Sequence, residues 1–214
     1  MNNYREINWL EVQKQIKDAK EEYWGCFDLS NYALTEIPTD IFEIDSLCEL
    51  DLSYNRFQNI PTNISQLTNL SYLILDNNRI ETLPENLTQL THLYELYLED
   101  NELVSIPSVI WQLTSLTGLV LSFNCIDELP ENISQLKNLE SLDLRGNQLT
   151  ELPKGLFELT NLKHLFLEDN QLQEISSSVC KLTNLEKLTL HNNPINNIPD
   201  CVSKLTDLHE SSLN

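Results

Sequence analysis

The stretch Leu139-Glu140-Ser141-Leu142-Asp143-Leu144-Arg145-Gly146-Asn147-Gln148-Leu149, closed by Leu152-Pro153, decides how the whole chain is read. Its frame is L-x-x-L-x-L-x-x-N-x-L-x-x-L-P, and the same frame recurs on both sides of it. Asn55, Asn78, Asn101, Asn124, Asn147, Asn170 and Asn193 stand 23 residues apart. Pro38, Pro61, Pro84, Pro107, Pro130, Pro153 and Pro199 keep the same step, with Ser176 in the one gap. Leu47, Leu70, Leu93, Leu116, Leu139, Leu162, Leu185 and Leu208 keep it too, without an insertion. Self-similarity at a fixed period of roughly 20–50 residues points to a stacked repeat architecture.

Each part of the frame has a physical reason. The L-x-L pair alternates with period two, so both leucines point to one face of a short strand. Asn suits the point where the chain turns off the strand, because its side chain bonds nearby backbone groups. Pro then fixes φ and starts a short helical or 3-10 return segment. In that segment apolar residues such as Ile133 and Leu136 recur at three-residue spacing and point inward. One unit cannot bury its own apolar face, so neighbours must stack. At about 4.8 Å per strand the array is expected to be about 40 Å long and curved.

The frame resembles that of the leucine-rich-repeat family, in the 23-residue intracellular form found in bacterial proteins and in Ras-pathway scaffolds. The resemblance covers roughly residues 24 to 210. It implies an α/β solenoid with a curved parallel sheet on the concave face and short helical or 3-10 segments on the convex face. The expected organisation is a capping helix over 1–23, eight 23-residue units over 24–207 and a partial terminal unit over 208–214. In the first unit Tyr32 stands where Asn is expected, as terminal repeats are often atypical. Ahead of it, Ile7 to Tyr23 reads as an amphipathic helix with Trp9, Val12, Ile16, Ala19 and Tyr23 on one face. A cap over the first unit's open core is the expected role, with a partner- or lipid-binding helix as the rival. The lead-in helix, Asp28-Leu29-Ser30 and Leu34-Thr35-Glu36-Ile37-Pro38 are similar to the start of arrays in bacterial Roco GTPases; no GTPase segment accompanies them, so no activity is carried over. At the other end, Ser211 occupies a leucine position, as in a weakened edge strand.

Composition narrows the function. The 214 residues carry a net charge of −20, which repels nucleic acid phosphates and anionic membranes and attracts basic partners. Four glycines, none close to another in a phosphate-loop spacing, exclude the glycine-rich nucleotide motifs. No apolar run approaches a membrane span, and no Sec-type signal peptide is read at the N-terminus. Cys26, Cys48, Cys125, Cys180 and Cys201 are odd in number and scattered, which reads as free thiols in a reducing compartment. The expected location is therefore the cytoplasm, with an effector exported without a Sec-type signal as the alternative.

No G-x-S-x-G elbow, H-E-x-x-H or other catalytic motif occurs, and neither a cofactor nor a metal is expected. An enzyme would have to use the surface ladder Arg145–Glu168–His191, which reads more simply as solvated charges. The third, fifth, seventh and eighth positions of each unit face away from the leucine core. They bring Tyr72, Ile74, Tyr97, Val120 and Phe123 into one exposed apolar patch, with Asp76, Glu95, Glu99 and Asp100 around it. The resulting expectation is a monomeric protein–protein interaction module. It would bind a partner with a basic or mixed apolar and basic surface, in signalling or regulation. The alternatives are a bacterial effector acting on a host protein, and a structural spacer, which would have no reason to display aromatics there.

Overall fold

A computed structural model describes residues 9–202. The start of the lead-in helix at Ile7, the partial unit 208–214 and Ser211 lie outside the described residues. The strands are β1 (Cys26–Asp28), β2 (Glu49–Asp51), β3 (Tyr72–Ile74), β4 (Glu95–Tyr97), β5 (Gly118–Val120), β6 (Ser141–Asp143), β7 (His164–Phe166) and β8 (Lys187–Thr189). All pair in parallel and in sequence order, forming one sheet. The register repeats without slip: Leu50 sits beside Leu73, Leu73 beside Leu96, and so on to Leu188. Between strands, the chain returns through five-residue 3-10 turns such as Thr62–Gln66 and Glu131–Gln135. Each begins directly after the periodic proline; Ser176 replaces it by accepting a hydrogen bond from the Ser178 N–H. The expected solenoid is what forms, and the return segments are 3-10 rather than α-helical.

Among the described residues the leucines of the frame are buried, Leu152 only partly, and Ile133 and Leu136 are buried too. The asparagine column does more than the turn role expected of it. Asn124 accepts from the Leu103 N–H (3.0 Å) and donates to Leu98 O (2.9 Å), both in the preceding unit, and to Leu121 O and Ser122 O in its own. Asn78, Asn101, Asn147 and Asn170 repeat the pattern. Each asparagine therefore ties two units together. This explains Tyr32, which begins the array and has no preceding unit to tie. A second, unexpected ladder runs where the chain enters the sheet. The side chains of Asn69, Asn138, Asn161 and Asn184 donate to the carbonyls of Asp45, Thr114, Lys137 and Thr160.

The lead-in helix, α1 (Trp9–Glu22), buries Val12, Ile16 and Ala19 against the first unit. Lys20 Nζ donates to Glu43 Oε2 at 2.8 Å, pinning α1 to the first 3-10 turn. Two members of the expected buried face are corrected: Trp9 and Tyr23 are exposed. Trp9 stands one turn ahead of Val12. Tyr23 has φ +56° and takes the chain out of the helix, while the Trp24 N–H closes back on Ala19 O at 3.0 Å. Trp24, not Tyr23, packs on the core.

The reading of five free thiols is also corrected. Cys180 and Cys201 are disulfide-bonded, joining the 3-10 turn Ser177–Lys181 to the chain that follows the last strand. Cys26, Cys48 and Cys125 are free and exposed.

Candidate functional site

Alternation along β3, β4 and β5 sends Leu73, Leu96 and Leu119 into the core and their flanking residues to the opposite face. Tyr72 pairs in register with Glu95, Ile74 with Tyr97, and Tyr97 with Val120. Tyr72 and Phe123 are exposed; Ile74, Tyr97 and Val120 are half-buried, as side chains shoulder to shoulder on a sheet must be. The five residues of the patch and its four acids thus share one surface across three neighbouring strands.

The acids differ in their surroundings. Asp76 Oδ1 accepts from the Glu99 N–H at 2.7 Å. Its carboxyl is pushed up to about 6, first by burial, then by Glu99, Asp51 and Asp143; the Glu99 N–H only partly opposes this. Burial also raises Glu95, against hydrogen bonds from Thr117 and Tyr97 that favour its charge. The Tyr97 phenol is raised by burial and by the carboxylates of Glu95 and Asp76. Gly118 makes room for this arrangement, since a Cβ there would collide with the Glu95 carboxylate. The third, fifth, seventh and eighth positions of the units of β2 to β5 hold no lysine, arginine or histidine, so the centre of this face is anionic.

The patch has a defined end. Beyond β5 the fifth column carries Asp143, buried and gripped by Arg145 through Nε and Nη2. Next comes Phe166, with Arg145 5.4 Å and Lys187 5.0 Å from its ring centre and His164 stacked 6.3 Å away. Arg145 is therefore committed to Asp143 and Phe166. The Arg145–Glu168–His191 ladder lines up along the backbone, yet its side chains make no relay. Glu168 is only 7% exposed, with Oε2 lacking a hydrogen-bond partner. Away from this face, Arg56, Arg79, Phe42 and Gln58 help line a cavity of about 790 Å³ on the flank of the first units.

One feature of the site escaped the reading of the sequence. The eighth residue of all eight units has positive φ: Asn31, Tyr54, Asn77, Asp100, Phe123, Gly146, Asp169 and Asn192 lie between +51° and +64°. The signal was present in the predominance of Asn, Asp and Gly, which tolerate that conformation. Tyr54 and Phe123 obscured it. For residues of their size this backbone costs about 1–2 kcal/mol.

Comparison with known proteins agrees with this architecture. A family model described as leucine-rich repeat region matches residues 110–211, and a second, described as leucine rich repeat, matches 27–80. Among solved structures, a leucine-rich-repeat protein of Leptospira interrogans is similar at 38% identity and TM-score 0.81, over 87% of this chain and 48% of its own. An internalin from Listeria monocytogenes is similar at 29% identity and TM-score 0.69, over 80% of this chain and 49% of its own. The leucine-rich-repeat ectodomain of a plant membrane receptor kinase from Arabidopsis thaliana, solved in complex with Casparian strip integrity factor 2, is similar at 31% identity and TM-score 0.70; the match covers 80% of this chain and 22% of that one. This chain thus spans about half the length, or less, of these proteins. No significant match was found among curated proteins.

Proposed function

The chain belongs to the leucine-rich-repeat proteins, and from that premise we propose that it binds another protein on the concave face of its sheet, in signalling or regulation. Leucine-rich-repeat domains generally mediate protein–protein interaction. The observation that carries the proposal is the cluster of Tyr72, Ile74, Tyr97, Val120 and Phe123 on the face opposite the core, rimmed by Asp76, Glu95, Glu99 and Asp100. Aromatic side chains there add nothing to the core, and they are the type that anchors interfaces. The acids steer a partner with a basic or mixed apolar and basic surface. Tyr97 is central. Tyr97→Ala is expected to cost about 2 kcal/mol in binding and little in folding. Glu99→Lys is expected chiefly to slow association and to reduce its salt dependence. Capture of partners on the wild-type chain, followed by binding and melting measurements on both variants, tests this. Undiminished binding by a folded Tyr97→Ala chain places the site elsewhere.

One observation favours the exported alternative over the cytoplasmic one. The Cys180–Cys201 disulfide suits an oxidising compartment, where such bonds persist. Alkylation of thiols in intact source cells, followed by mass analysis of these two cysteines, separates the two: a bonded pair supports export, and free thiols support the cytoplasm.

A further inference from the structure

The eighth column of the array carries information that the repeat itself does not require. Six of its eight residues are Asn, Asp or Gly, the residues that occupy a left-handed backbone with least strain. The two exceptions, Tyr54 (φ +54°) and Phe123 (φ +55°), are both aromatic. Large side chains with positive φ are outliers that persist only where something compensates them. Core burial does not compensate these two, because Tyr54 is 50% and Phe123 48% exposed. Phe123 is nonetheless held in place. Its ring lies across Gly146 of the next unit, where an added Cβ would come within 2.5 Å of the ring.

The two aromatics stand on the units of β2 and β5, three strand spacings apart, so about 14 Å separates them along the sheet. Between them the seventh and eighth columns present Asp76, Asn77, Glu99 and Asp100, with no basic residue. An extended peptide covers the same interval between residues i and i+4, at about 3.4 Å per residue, and presents i+2 on the same side.

We propose that Tyr54 and Phe123 are paired anchors of the concave surface, which bind an extended segment of a partner protein bearing two apolar side chains about 14 Å apart and a basic side chain midway between them. This rests on the concave-face reading above and adds to it a residue, a spacing and a charge order. The apolar side chains of the segment pack against the two aromatics. The cationic one reaches Asp76, Glu99 and Asp100 and relieves the repulsion between Asp76 and Glu99.

Fluorescence anisotropy with the intact chain tests the proposal. The probe is a labelled peptide, Ser-Leu-Ser-Lys-Ser-Leu-Ser, blocked at both ends. One control replaces its lysine by glutamate; a second, Ser-Leu-Ser-Lys-Leu-Ser-Ser, brings the leucines one residue closer and keeps the lysine in place. The wild-type chain is expected to bind the probe about tenfold or more tightly than either control, and Tyr54→Asn and Phe123→Asn are each expected to lose about that factor. Because asparagine suits the left-handed backbone, both variants are expected to melt no lower than the parent. Absent binding, equal binding of the three peptides, or asparagine variants that bind like the wild type overturn the proposal. So does a clear fall in melting temperature in both variants, which would make the aromatics packing residues. If Tyr97→Ala weakens binding of the probe while the asparagine variants do not, this inference falls and the concave-face reading stands. If all three variants bind the probe undiminished, both fall.

Discussion

Asn124 illustrates how much one side chain carries in a stacked array. Its amide satisfies one N–H and one C=O in the preceding unit and two carbonyls in its own, all away from water. Asn124→Ala is expected to cost about 1–3 kcal/mol, the penalty for leaving such groups unpaired. A urea midpoint equal to the parent's would contradict that role. Asp76 illustrates a residue held against its own stability. Burial lifts its carboxyl from 3.8 to about 6, so the folded chain keeps a proton that the unfolded chain has already released. The group therefore stabilises the fold least above that value: stability falls as pH rises through the interval and stays lower beyond it. Asp76→Asn keeps the acceptor for the Glu99 N–H and removes the charge. It is expected to raise stability by about 1 kcal/mol near neutral pH once solvent screening is allowed for, and by nothing below the ordinary carboxylate range. Melting curves across pH check this, and a constant difference at every pH would refute it.

Between residue and molecule, the informative elements are the strands, the 3-10 turns and α1. With α1 covering the first unit through Val12, Ile16 and Ala19, deletion of residues 1–22 is expected to expose Phe27, Leu29 and their neighbours. The result should be a lower melting temperature or self-association, seen by calorimetry and light scattering. A truncated chain that stays monomeric and equally stable would leave partner binding as the helix's role. Strands and register were legible in the sequence because two periods act together. Alternation decides which face a residue takes, and the 23-residue step decides its neighbour, so Tyr72 could only meet Glu95 and Tyr97 only Val120. What resisted reading either breaks the period or is hidden by exceptions to it. The Asn69 ladder is masked where Ser46, His92 and Ser115 take the same place. Tyr23 fits a helical spacing but stands one residue past the helix end. Cys180 and Cys201 are 21 residues apart, so the repeat grid never stacks them. Tyr54 was passed over because, on the grid, it looks like any surface tyrosine; only its backbone angle singles it out.

In the molecule as a whole, each unit is stabilised mainly by the unit beside it, and the ends are the vulnerable places. Among the described residues, α1 covers the first unit, and the Cys180–Cys201 bond ties the turn before β8 to the chain after it. Reduction of that bond is expected to destabilise the C-terminal end by about 3 kcal/mol, the figure for closing a loop of this length. Hydrogen exchange should locate the loss at β7 and β8 and leave β4 and β5 protected; uniform loss along the chain would mean that the array unfolds as a single unit. The asparagine bonds reach back 21 and 26 residues at every step, always to the adjoining unit. A unit copied or excised whole leaves those offsets intact, so unequal crossing-over in the gene can lengthen or shorten the array without rewriting its interior. The distance from Tyr54 to Phe123 is then inherited as a number of repeats, adjustable only in jumps of about 4.8 Å.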